Sequence, residues 1–159
     1  MKLLAIILTL AAPFVAGAQA QSMSTLQDLP SVAVTVRAIT PDGERFGVNG
    51  ETLTRVVTEA LTAAGVTVAK PGEVTDVADM PTVEITAVVN RLSGNGHIYT
   101  LRLTLRELVE LKRKTKNLID LGAVTWERET QGFTSNSDRV IASAMTLAER
   151  FATEWREAN

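Results

Sequence analysis

The feature that most constrains the fold is a pair of segments that alternate between apolar and polar residues on either side of a glycine-rich turn sequence. Residues 82–91 and 99–105 each alternate with a period of two, which is typical of β-strands with one buried face. Ser93-Gly94-Asn95-Gly96 lies between them and favours a tight turn. The sequence therefore predicts an antiparallel β-hairpin.

The register of this hairpin follows from the requirement that apolar residues share one face. A three-residue loop over 94–96 sets Ile85 opposite Leu105 and Ala87 opposite Leu103, whereas a two-residue loop pairs apolar with polar positions. We therefore predict the three-residue loop, with Gly96 in the left-handed conformation.

Two further segments are predicted as strands. Residues 31–40 alternate before Pro41-Asp42-Gly43, which is a turn signal. Residues 118–129 alternate after a turn over 112–117, and pairing Leu105 with Val124 keeps the core face. A helical turn from Leu105 to Leu111 is the alternative, but the alternation favours a strand.

Two segments place apolar residues at helical spacing. The first covers 51–64, with Asn49 as its cap and Gly65 just past its end. The second covers 138–155 and can be capped by Ser137 or Asp138. The order strand, helix, three strands, helix predicts an α+β two-layer sandwich with a mainly antiparallel sheet and both helices on one face.

The amino-terminal segment has the order of a secretory signal peptide. Lys2 precedes an apolar run over 3–15, and Ala18-Gln19-Ala20 matches a cleavage site. The run is shorter than the roughly 20 residues of a membrane-spanning helix. We expect export to the periplasm, or to the outside of the cell, with no membrane span after cleavage. The predicted organisation is a signal peptide (1–20), a flexible leader (21–30) and one domain (31–159).

Composition excludes several classes of function. The formal net charge of −2 argues against a dedicated nucleic-acid-binding protein, which usually carries a strongly basic surface. The absence of cysteine excludes disulfides, cysteine nucleophiles and a lipid-modified cysteine. His97 is the one histidine, so a zinc site is not expected, and an exposed turn residue is the preferred interpretation.

No motif for catalysis is present. The chain lacks a G-x-S-x-G elbow and a phosphate-binding glycine loop, so we expect no enzyme activity, no metal and no cofactor. A small carboxylate-dependent hydrolase is the alternative. Its candidate is Glu107, which the alternation places on the core face near Gly122. We prefer the interpretation that Glu107 reaches water near the sheet edge.

Two features of the hairpin formed by residues 105–124 suggest binding. One is a basic turn, which either is a solvated tip or attracts an anionic lipid or polysaccharide; its residues are Lys112, Arg113, Lys114 and Lys116. The other is a second apolar face, whose residues are Leu108, Ile119 and Leu121. That face predicts contact with an envelope protein or self-association, unless the leader covers it or a bulge near Gly122 rotates the strand.

The order of elements resembles a group of small exported α+β domains. The group includes the lipopolysaccharide-assembly lipoprotein of the outer membrane and the amino-terminal domain of the Tol-system propeller protein. The resemblance rests on the strand 31–40, the helix 51–64, the segment 65–68, the hairpins and the helix 138–155. It implies a non-catalytic accessory role in the cell envelope, binding a partner protein or an anionic component. A self-assembling structural subunit is a further hypothesis.

Overall fold

The computed structural model describes residues 25–70, 80–108 and 122–159. The predicted signal peptide and the predicted basic turn lie outside these residues. No helix in the described ranges is both long and apolar enough to cross a membrane. The elements in chain order are β1 (Ala33–Ile39), α1 (Pro41–Arg45), α2 (Gly50–Ala63), β2 (Thr82–Arg91), β3 (His97–Glu107), β4 (Ala123–Thr134) and α3 (Ser137–Ala158).

The four strands form one sheet in the order β1-β2-β3-β4. β1 and β2 are parallel, because the chain crosses over through α2 between them, and the other pairs are antiparallel. The long helices α2 and α3 contact each other and pack over the sheet, α2 on β1 and α3 on β3 and β4. This confirms the predicted α+β two-layer fold. The short helix α1 replaces the turn predicted at Pro41-Asp42-Gly43.

The β2–β3 hairpin keeps the predicted faces, but the predicted register is wrong. Ile85 pairs with Leu103 and Ala87 with Leu101, which is a shift of two residues from the expected pairs. A shift of two preserves the buried face, so the alternation could not detect it. The loop is longer than predicted, and Gly94 (φ 83°), not Gly96, takes the left-handed conformation.

The pairing of β3 with β4 is displaced in the same way. Leu105 lies opposite Trp126, not Val124, and a bulge follows between Leu105 and Arg106. β4 continues to Thr134, beyond the predicted end at residue 129. The bulge moves Val124 to the outer face opposite Arg106, where it is exposed.

A second bulge, in the pairing of β1 with β2, changes which residues of β1 face the core. The alternation over 31–40 placed Val36 and Ala38 on one face of the predicted strand. The shift between these residues leaves Ala38 exposed and lets Ile39 pack against the core instead. Sequence alternation cannot anticipate this rotation, because a bulge inserts one unpaired residue.

The helix caps were predicted in part. Asn49 accepts a hydrogen bond from the backbone N–H of Thr52 at 2.8 Å, and Gly65 has φ 92°, both as expected. The cap of α3 is Asn136, whose side chain accepts from the N–H of Asp138 at 2.9 Å. The expectation of Ser137 or Asp138 was therefore wrong by one or two positions.

The end of the predicted leader is packed into the domain. Leu26 and Leu29 are buried in the core. The side-chain amide of Asn159 donates to the carbonyl of Leu26 and accepts from the N–H of Asp28, each at 2.9 Å. Residues 26–29 therefore belong to the folded unit, because Leu26 and Leu29 are part of its core.

Candidate functional site

The face of the sheet opposite α2 and α3 carries no helix among the described residues, and we call it the helix-free face. Its centre is charged. Glu84 on β2 accepts a hydrogen bond from Arg37 on β1 at 2.9 Å and lies 3.6 Å from Arg106 on β3. The two arginines therefore share one carboxylate across three strands. Cross-strand pairs of opposite charge such as these stabilise a sheet modestly.

A second set of ion pairs extends this centre to β4. Arg102 donates to Glu129 at 2.7 Å and lies 3.6 Å from Glu127. The hydrogen bond to Glu129 raises the pKa of Arg102 above its ordinary value, and the charges of Glu127 and Glu129 raise it further. The charges of the centre are thus paired with one another.

Exposed apolar side chains gather at the end of the sheet where the β2–β3 loop lies. Three of them are at outward positions of the helix-free face, and the fourth is in the loop itself. Seven large apolar side chains in the described ranges are exposed, and four of them lie at this end, so their distribution is not scattered. We call these four the hairpin-end patch. They are 38% to 61% exposed and comprise Val88, Leu92, Ile98 and Phe133.

The sheet register brings the patch together. Ile98 on β3 pairs directly with Phe133 on β4. Thr100, the next outward residue of β3 after Ile98, pairs with Val88 on β2. Val88 is therefore a diagonal neighbour of Ile98. The Phe133 ring lies over Gly96, where an added Cβ would be 2.5 Å from the ring atoms. Gly96 therefore provides the space in which the ring rests on the hairpin loop.

Sequence reasoning missed this patch because it ended the last strand at residue 129. Phe133 then had no assigned face. A signal was present, since Val88 and Ile98 occupy outward positions of alternating strands. Extending β4 by two further outward positions would have placed Phe133 beside them.

The structure describes one of the predicted partner-binding residues. Leu108 follows β3 and is 61% exposed, and Val124 at the same end of the sheet is also exposed. The other predicted residues lie outside the described ranges, and they are Ile119, Leu121, Lys112, Arg113, Lys114 and Lys116. The binding surface predicted on the hairpin of residues 105–124 therefore stays a prediction.

The carboxylate considered for catalysis and the histidine considered for zinc lie apart from each other. Glu107 is half-buried at the end of β3, where it accepts a hydrogen bond from Thr125. His97 is half-buried at the opposite end of β3, stacked on Phe46, and is not the exposed turn residue that was expected. Within the described ranges no three histidine, aspartate or glutamate side chains cluster as metal ligands would.

Comparisons with known proteins give distant likenesses to solved structures. No family model and no curated protein matches the sequence. A minor lipoprotein from Acinetobacter baumannii has 14% identity and a TM-score of 0.38, with 80% of this chain and 91% of that chain covered. A PelC dodecamer from Paraburkholderia phytofirmans has 17% identity and a TM-score of 0.38, with 82% and 88% covered. Likeness at these TM-scores carries no conclusion about function.

Proposed function

We propose that this protein is a non-catalytic binding module that holds a partner protein against the helix-free face of its sheet. The observation that carries the proposal is the hairpin-end patch, where four large apolar side chains are exposed together. Apolar and aromatic side chains, such as Phe133, dominate the centres of protein interfaces. The predicted signal peptide supports an encounter outside the cytoplasm, in the cell envelope.

The size of the face supports a contact wider than the patch. β3 has 11 residues, so the face is ~35 Å long and roughly 15–19 Å wide, an area of about 600 Å². A standard interface buries about 800 Å² on each partner. The partner would therefore also cover the charged centre. Because those charges are already paired, covering them does not leave single charges without partners.

Site-specific photo-crosslinking in cells that make the full chain tests this proposal. A crosslinking amino acid replaces Ile98 or Phe133 in the patch, and Met145 on α3 in a control, since Met145 is also an exposed apolar residue. We expect one discrete adduct from the patch positions and none from position 145. The Val88→Lys substitution should abolish the adduct from position 98, because it places a charge in the contact.

Two outcomes would redirect the proposal. An adduct of twice the chain mass, with a concentration-dependent mass in light scattering, would identify a second copy as the partner. If a crosslinking amino acid in place of Leu108 gave an adduct and positions 98 and 133 gave none, the interface would move to the opposite end of the sheet. No adduct from positions 98 and 133, in variants with unchanged melting temperature, would refute binding through this face.

A further inference from the structure

A cleft opens at the hairpin end of the sheet, on the side that bears the helices. It forms where α1, the β2–β3 loop and the residue after β4 converge, and its volume is about 500 Å³. That is the size of a small-molecule site. The lining residues are Asp42, Arg45, Phe46, Arg91, Asn95, His97 and Ser135.

Helix α1 is held in place to form one wall. The Thr40 hydroxyl, just before α1, donates to the carbonyl of Val89 at 2.7 Å and accepts from its N–H at 2.9 Å. Phe46, at the end of α1, stacks on His97 with ring centroids 3.8 Å apart and planes at 27°. Nδ1 of His97 is buried without a partner among the described residues, which leaves Nε2 as the imidazole nitrogen available to a ligand.

Asp42 is the one carboxylate among the lining residues, and both of its oxygens already accept hydrogen bonds. One oxygen of Asp42 accepts from the Arg45 guanidinium and the other from the backbone N–H of Arg91, each at 3.2 Å. Arg45 therefore neutralises Asp42. The Arg91 guanidinium, the Asn95 amide and the Ser135 hydroxyl make no hydrogen bond or ion pair within the part of the chain that the structure describes. The cleft thus offers several donors and one unpaired positive charge.

We propose that this cleft binds the carboxylate or phosphate group of a small molecule. The planar guanidinium of Arg91 can donate two parallel hydrogen bonds to such an oxyanion. Asn95 and Ser135 supply further donors, and the Phe46–His97 stack provides a flat wall for the rest of the molecule. This site is separate from the helix-free face, so it does not depend on the proposed partner contact.

The single histidine of the chain allows a direct test by NMR. The imidazole signal of His97 is followed during titration of the full-length protein with inorganic phosphate and, separately, with succinate. We expect saturable shifts with at least one probe. Shifts with phosphate alone identify a phosphate site, shifts with succinate alone identify a carboxylate site, and shifts with both identify a general oxyanion site.

Two variants distinguish the cleft from the rest of the surface. Arg91→Gln should weaken binding at least tenfold. Arg55→Gln removes the same charge from the exposed face of α2, outside the cleft, and should leave binding unchanged. The proposal fails if neither probe shifts the His97 signal, or if Arg91→Gln binds as tightly as the unmodified protein.

Discussion

The indole Nε1 of Trp126 donates a hydrogen bond to Oε2 of Glu154, 2.8 Å away, and this bond joins β4 to α3. Arg128 donates to the same carboxylate through Nε at 3.1 Å and Nη2 at 2.8 Å. The Glu154 side chain is only 15% exposed. One carboxylate therefore satisfies a buried indole and a half-buried guanidinium at the same time, next to the edge-on contact of Trp126 with Phe151.

Replacement of Glu154 by alanine should destabilise the protein by about 2 kcal/mol, because the indole N–H and the Arg128 charge lose their acceptor where water reaches them poorly. Urea unfolding, followed by tryptophan fluorescence, measures the change. Glu157→Ala is the control, since Glu157 is exposed on the same helix and should change stability by less than about 0.5 kcal/mol. Equal effects of the two variants would contradict the role of Glu154.

Replacement of Gly132 by alanine should cost about 1–3 kcal/mol, because the buried Tyr99 ring must move. An added Cβ at position 132 would lie 2.7 Å from the Tyr99 hydroxyl oxygen. That hydroxyl shares a 2.9 Å hydrogen bond with Ser143 on α3, which the movement would disturb. Gly50→Ala, where an added Cβ meets Val36 at an ordinary 3.8 Å, should change the free energy of unfolding little. A neutral Gly132→Ala variant would show that Tyr99 has room to shift.

Replacement of Asn49 by alanine should destabilise the protein by about 1 kcal/mol, because the N–H of Thr52 loses its acceptor at the start of α2. Thermal unfolding of Asn49→Ala and Asn49→Asp provides the measurement. The aspartate variant keeps an oxygen acceptor and should retain most of the stability. If both variants lost the same stability, the cap would not be the reason.

Replacement of Glu84 by glutamine should destabilise the protein by roughly 1 kcal/mol at low salt, because Arg37 and Arg106 then face each other without the shared negative charge. The difference should shrink in 1 M salt, since added ions screen the repulsion. Urea unfolding of both proteins at two salt concentrations checks this. A difference that does not depend on salt would point to packing.

The faces of the strands could be predicted from the sequence where no bulge interrupts the alternation, and their registers could not. Ile85 and Ala87 were correctly assigned to the core, because alternation determines which side a residue faces in a strand without a bulge, such as β2. The predicted partners were wrong by two positions. Alternation could not correct this, because Leu105 and Leu103 are both apolar and either can lie opposite Ile85. The observed register occurs with Gly94 in the left-handed conformation, and a sequence with several turn residues does not reveal which loop forms.

Neither the hairpin-end patch nor the cleft could be predicted from the sequence, because each depends on a detail that local residue patterns do not specify. The hairpin-end patch required the true length of β4, which places Phe133 opposite Ile98. The cleft required α1 to form a helix at Pro41, so that Phe46 reaches His97, and the sequence indicated only a turn there. Local residue patterns identify elements, but both surfaces arise where distant elements meet.

The bonds between Asn159 and residues 26 and 28 have a consequence for the order of folding. The partners are 133 and 131 positions apart, whereas β2, β3 and β4 are neighbours along the chain. Contacts between distant positions require a larger loss of chain entropy before they form. We therefore expect the antiparallel strands to assemble before residues 26–29 dock against Asn159.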